Sequence, residues 1–294
     1  MSAKKVDKIA TIILYLISFF VVFILALFIA YVMYNGIGML SPSFLFGAPQ
    51  TMKAGGGIGP ELFNSFYMLL VSLIITIPIG VGAGIYLAEY AKEGPVVRFI
   101  RLALETMSSL PSIVIGMFGL LVFVNMFGWG YSILSGAISV SILNIPSMTR
   151  ISENAIKKAS SNVKEPSLGL GATKWQTIKR LSLPMAIGEI LTGIILAAGR
   201  IFGEAAAFLY TAGLSSGKLN FNNISLDGKS SAFSLFRPAE TLAVHIWKLN
   251  SEGTVPDAAA IANGTAAVLI LAVLLFNILA RFIGNRVIKS YSGK

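Results

Sequence analysis

The 294-residue sequence has no cysteine and a single histidine, His245. Disulfides, thiolate-bound metals and thiol nucleophiles are therefore excluded, and so is a histidine-rich metal centre. Charge is scarce as well. Charged residues make up 12% of the chain, about half of the ~25% usual in soluble domains. A surface wetted on all sides is not available to such a sequence. What is abundant is apolar: 55% of residues are hydrophobic, and the mean hydropathy is +0.78. Acidic residues are outnumbered 13 to 23 by lysine and arginine, for a net charge of +10. In a soluble protein that excess would point to nucleic acid. Here the placement of the charges accounts for it, and no nucleic-acid partner is expected.

A bilayer crossing needs roughly 20 apolar residues. Residues 9–34 and 62–88 each form a charge-free stretch of that kind. The first is too long for a signal-peptide core, and no small-residue cleavage site follows it. Residues 106–149 also lack charge and are long enough for two crossings. Phe127-Gly-Trp-Gly-Tyr131 is the expected turn between them, with glycine for the bend and aromatics for the interface. A fifth span is expected over 183–212 and a sixth over 258–280. The expected fold is all-α, with about six transmembrane helices and both termini on one side.

Basic residues set the orientation. With the N-terminus inside, 17 of the 23 lysines and arginines fall in cytoplasmic segments and five in external ones; Arg200 lies within a span. The chain therefore reads as N-in, C-in. Pro78, Pro111, Pro146 and Pro184 interrupt apolar segments, where each removes a backbone donor and kinks a helix. The small residues of Gly80-Val-Gly-Ala-Gly84 favour close helix packing. The alternative, broken helices lining a path, stays open.

One polar stretch, residues 150–181, separates spans four and five. Ser167 to Leu170 can begin a short helix, and Gly171 permits a sharp turn. Thr173 followed by Gln176 forms a capping box for a second helix from Lys174. Trp175 and Ile178 are apolar anchors on an otherwise basic segment. The stretch suits docking into a partner's groove; the alternative is a solvated connector.

This stretch resembles the cytoplasmic coupling loop of ABC-importer permeases. That loop reads Glu-Ala-Ala, three residues, Gly, nine residues, Ile, one residue, Leu-Pro. Glu165, Gly171, Leu183 and Pro184 match, Leu181 replaces the isoleucine, and Pro166 and Ser167 replace the alanines. Further segments extend the resemblance over nearly the whole chain after residue 55. They are Gly56-Gly-Ile-Gly-Pro60, Gly82-Ala-Gly-Ile-Tyr-Leu-Ala-Glu-Tyr-Ala91, Leu110-Pro-Ser-Ile-Val-Ile-Gly116, Gly199-Arg-Ile-Phe-Gly-Glu-Ala205 and Pro238-Ala-Glu-Thr-Leu-Ala-Val-His-Ile-Trp247. Together they are similar to the A-type permease of the Pst phosphate importer.

The resemblance implies a type-1, MetI-like permease fold over residues 61–285. An N-terminal helix with an external segment (1–60) would precede it, and a basic cytoplasmic tail (286–294) would follow. It also implies coupling through Glu165, Gly171, Leu181, Leu183 and Pro184. The implied partners are a homologous second permease, an ATPase dimer carrying ATP and magnesium, an external phosphate-binding protein, and the bilayer. The chain itself needs no cofactor and catalyses nothing. A phosphate-gripping loop requires Gly, four residues, then Gly-Lys-Ser/Thr. Gly228-Lys229-Ser230 has Asn223 where that first glycine belongs, and it reads as an external turn.

Arg200 lies deep in span five, with Glu204 four residues on, a spacing that shares one helical face. Arginine's planar fork suits a tetrahedral oxyanion. A carboxylate can accept from the hydroxyl of protonated phosphate, which sulfate at neutral pH lacks. Arg200 and Glu204 are thus the expected substrate-path residues; the alternative is an ion pair that only neutralises itself. Glu189 reads as a side chain snorkelling at the cytoplasmic edge, Glu61 and Glu89 as interface markers, and Asn144 as interhelical glue. His245 reads as exposed or satisfied rather than as a pH switch. Residues 221–237 read as a flexible external loop touching the binding protein.

The competing readings are a permease for another oxyanion (molybdate or sulfate) or the partner-type phosphate permease. Outside the class stands an ATPase-independent transporter or channel, which would not need the coupling loop. An intramembrane enzyme lacks support, because neither Arg200 nor Glu204 has an adjacent nucleophile or metal cluster.

Overall fold

The computed structural model describes residues 3–50, 53–217, 219–227, 231–253 and 255–292. Gly228-Lys229-Ser230 and the end of the tail lie outside these. Among the described residues the regular structure is helical, with one isolated bridge, Asn220 to Ser231.

Helix α1 (Ala3–Gly36) is 34 residues long. At 1.5 Å per residue it is more than long enough for the ~30 Å hydrocarbon layer. Its apolar window buries nothing within the chain, as suits a helix solvated by lipid. After the short α2 (Pro42–Phe46), α3 (Gly59–Ile85) continues through one wide π turn, Tyr86–Tyr90. Helix α4 (Pro95–Ser109) meets α5 (Ser112–Gly119) at a 100° bend. Leu110 is extended there, at φ −67° and ψ 136°, as the residue before Pro111 must be. Helix α5 extends through a second π turn to Met126. The third span therefore begins at Ser112 rather than Thr106, and α4 is an amphipathic helix suited to the membrane surface.

The chain turns after Phe127 as expected and enters α6 (Ile133–Ser160), the most buried helix of the bundle. Next come α7 (Lys164–Gly169) and α8 (Lys174–Thr177). A third π turn (Ile178–Ser182) then leads into α9 (Leu183–Phe202). Helices α10 (Ala206–Thr211), α11 (Leu242–Glu252) and α12 (Ala258–Ser292) complete the order.

Among the described residues four helices are long and apolar enough to cross a membrane: Ala3–Met39, Gly59–Tyr90, Lys174–Phe202 and Ala258–Arg286; the bent pair passes the same test only when its two arms are taken together. The remaining expected span is α6, which is 28 residues long but rich in serine. Its neighbours include α3, α5 and α9, and some of its polar side chains find partners inside the bundle, although Thr149 Oγ1 and Ser152 Oγ have none among the described residues. Ser141 Oγ, for example, donates to Ser72 O on α3 at 3.1 Å and to Ala137 O at 2.7 Å. Each interhelical bond of this kind contributes about 0.6 kcal/mol. Among the described residues Asn144 donates only within its own helix, to Val140 O, and makes no interhelical bond there.

The α3–α6 contact depends on small residues. A Cβ at Gly84 would lie 2.5 Å from Ser152 Cβ, and one at Gly80 would lie 2.7 Å from Met148 Cβ. The packing reading of that glycine run therefore holds for both positions. Helix α12 runs on to Ser292, so the described start of the expected tail is helical.

Candidate functional site

The coupling segment folds as a helix, a turn and a second helix. Gly171 makes the turn at φ +85°, a conformation that costs an L side chain roughly 1–2 kcal/mol. Both halves of the capping box form. Thr173 N–H donates to Gln176 Oε1 at 2.8 Å, and Gln176 N–H donates to Thr173 Oγ1 at 3.3 Å. Ser167 Oγ and Thr177 Oγ1, 2.8 Å apart, pin α7 to α8.

The two expected anchors divide. Ile178 is fully buried and holds the segment to the bundle, whereas Trp175 faces outward. Leu170 is 90% exposed. It borders a groove of about 340 Å³ with Pro166, Ala172 and Leu181. Glu165 and Gly171 are exposed as well, and Leu183 and Pro184 form the first turn of α9. Pro184 does not kink that helix in mid-run. It follows the π turn 178–182, whose wider spacing accommodates the missing donor.

The segment is tied to the rest of the cytoplasmic end by ion pairs. Glu89 is buried on the π turn after α3. It pairs with Lys164 Nζ at 2.8 Å and accepts from Ser160 Oγ. It therefore links three elements and does more than mark an interface. Glu153 pairs with Arg101 at 2.9 Å and Lys157 at 2.7 Å. Glu189 is half-exposed and pairs with Lys158.

Arg200 and Glu204 do not share a helical face, and this corrects the sequence expectation. Helix α9 ends at Phe202, and Gly203 caps it. Arg200 is exposed in the last turn and has no ion pair among the described residues. Glu204 is buried, and its Oε1 accepts from Ala207 N–H at 3.1 Å, at the start of α10. A helix start leaves orphan amide donors, and a carboxylate is a strong acceptor for them. The backbone has claimed Glu204, leaving Arg200 without its expected partner.

The external end holds residues whose placement the sequence did not reveal. Within 221–237 the described residues divide: 221–227 are mostly exposed, whereas Ser231, Ala232 and Ser234 are buried. Arg237 is the peg. It is 5% exposed and donates to Ala232 O, Pro238 O and Asn64 Oδ1. Burial lowers its pKa to about 10. Phe63 of α3 meets Phe221 and Phe233 edge-on beside it. His245 is buried, with Nδ1 2.6 Å from Glu240 Oε1. Glu61 is fully buried, not an interface marker. These side chains come from distant parts of the chain, so no local spacing signalled their meeting.

The chain is similar to known transporters. It is 50% identical to the probable ABC transporter permease protein YqgI of Bacillus subtilis, covering 98% of each chain. It is 32% identical to the phosphate transport system permease protein PstA of Yersinia pestis, covering 84% of this chain and 78% of the relative. The fold matches the MetNI methionine ABC transporter with a TM-score of 0.58 at 18% identity, over 78% of this chain and 93% of that one. Residues 80–292 match the family described as binding-protein-dependent transport system inner membrane component. This chain belongs to that family, the multi-pass membrane permeases of ABC importers.

Proposed function

We propose that this chain is one permease half of an ATP-driven phosphate importer, in which a separate ATPase dimer grips the segment 164–181. The observation that carries the coupling role is the braced turn at Gly171, which presents Leu170 and Trp175 outward while Ile178 and the Glu89–Lys164 pair hold the segment to the bundle. ATP binding closes the dimer, the braced segment moves as a lever, and the permease halves rock between outward-open and inward-open states. The path lies between this chain and a homologous second permease. An external phosphate-binding protein delivers the substrate.

Phosphate is supported by the likeness to PstA proteins and by Arg200, an exposed cation with no counter-ion among the described residues. Arg200 attracts the oxyanion. Glu204 holds the break between α9 and α10 that lets the path widen there.

Proteoliposomes carrying the complete complex test this reading. Labelled phosphate should enter only with ATP and the binding protein, and excess molybdate or sulfate should not compete. Uptake without the ATPase would overturn the coupling role. Competition by sulfate or molybdate would reassign the substrate.

A further inference from the structure

Three side chains converge at the external end of the bundle. Glu61 stands in the first turn of α3, Glu240 just before the Thr241 cap of α11, and His245 inside α11. One ligand atom from each lies within 4.8 Å of the others. All three are buried, at 0%, 2% and 6% exposure. With Ser216 and Lys248 they line a cavity of about 120 Å³.

The carboxylates are held very differently. Glu240 is bonded at both oxygens: Oε1 faces His245 Nδ1 at 2.6 Å, and Oε2 accepts from Lys248 Nζ at 3.1 Å. Lys248 is itself anchored on Leu214 O at 2.7 Å. Neither oxygen of Glu61 has a hydrogen-bond partner among the described residues. Ser216 and His245 are the groups nearest to it in the cavity, and a buried charged carboxylate so weakly held is strongly disfavoured, so Glu61 is met either by a proton or by a positive group. Two carboxylates facing one cavity repel phosphate, so the substrate anion does not meet the need. One imidazole with two carboxylates is instead a donor set for a divalent transition metal of the zinc type, whereas calcium and magnesium favour oxygen alone.

We propose that Glu61, Glu240 and His245 form a zinc-type divalent metal site that clasps the external end of α3 to α11. The two carboxylates balance the charge of the ion. Lys248 orients Glu240 through its other oxygen, as outer hydrogen bonds do for metal ligands. The ion would add to the bond that already links the two elements, from Leu242 N–H of α11 to Ser65 Oγ of α3 at 2.8 Å. The site does not depend on which oxyanion the permease carries.

The test uses the full chain purified in detergent, stripped with a chelator and titrated with zinc(II). The expected result is uptake of one ion per chain and a rise in the thermal midpoint on zinc addition. Glu61→Gln keeps the side chain's shape and removes its charge. Both this variant and His245→Gln should weaken zinc binding by about tenfold or more and abolish the zinc-dependent rise. Cobalt(II) substitution supplies a readout on the unmutated protein, through absorption bands reporting nitrogen and oxygen ligands. Absence of stoichiometric uptake by monodisperse wild-type protein overturns the proposal. So does zinc uptake that His245→Gln leaves unchanged, or a cobalt spectrum without a nitrogen ligand. Should Glu61→Gln fail to fold, the histidine variant and the cobalt spectrum decide alone.

Discussion

Lys164 Nζ lies 2.8 Å from Glu89 Oε2, so the π turn that follows α3 is fastened to the first residue of α7. Glu89 is buried while Lys164 is about one-third exposed, and this asymmetry gives the pair a direction. Lys164→Met strands a buried carboxylate, leaving it only Ser160 as donor, at a local cost of ~1–3 kcal/mol. In reconstituted complexes, ATP hydrolysis should persist while substrate uptake per ATP falls several-fold. Unchanged stoichiometry would show that the brace does not transmit force.

Gly171 supplies a second test of the lever. Valine at φ +85° is strained by its branched Cβ, whereas asparagine tolerates that region. No atom crowds the position, so the effect isolates backbone conformation. Gly171→Val should sharply reduce ATP-dependent uptake at normal membrane abundance, and Gly171→Asn should retain most of it.

The α3–α6 seam predicts a stability effect without a change in substrate preference. Gly84→Leu drives its side chain into Ser152 and the Glu153 backbone. Overpacking of this kind costs about 1–3 kcal/mol. Thermal unfolding in detergent should shift down by several degrees, with the surviving protein still favouring the same substrate.

Arg200 and Glu204 should separate cleanly. Arg200→Ala leaves no buried partner unsatisfied, so the thermal midpoint should hold while phosphate uptake drops about tenfold or more, the scale of one lost charge-assisted bond. Glu204→Ala removes the acceptor for Ala207 N–H and should cost stability by about 1 kcal/mol. Equal stability losses in both variants would count against the assigned roles.

Arg237 gives a control at the external end. Replacing it with methionine leaves Asn64 Oδ1 and Ala232 O without its bonds. The expected outcome is a loss of ~1–3 kcal/mol, read as earlier protease cleavage within 219–240 in right-side-out vesicles.

The coupling segment was legible because its signals are local: a glycine where the chain reverses, and a threonine three residues before a glutamine. Spans were legible wherever lipid is the solvent, as in α1 and α12. Helix α6 was harder to delimit, because its surroundings are protein and serine is tolerated there. The end of α9 at Phe202 is hidden by an apolar run that continues through the break, so the four-residue spacing of Arg200 and Glu204 does not put them on one face. The bend at Pro111 had its proline in view, yet uninterrupted hydrophobicity on both sides masked where the span begins. Glu240 and His245 lie five residues apart, but their meeting with Glu61 had no local trace, since tertiary folding alone brings α3 to α11.

The wide turn at Ile178–Ser182 also has a geometric consequence. One extra residue per turn shifts the phase of all that precedes it by roughly 100° about the common axis. The azimuth of Trp175 relative to the membrane rod is therefore set by a single inserted backbone step. Deleting one residue there would swing the indole to another compass bearing while leaving both helical pieces intact.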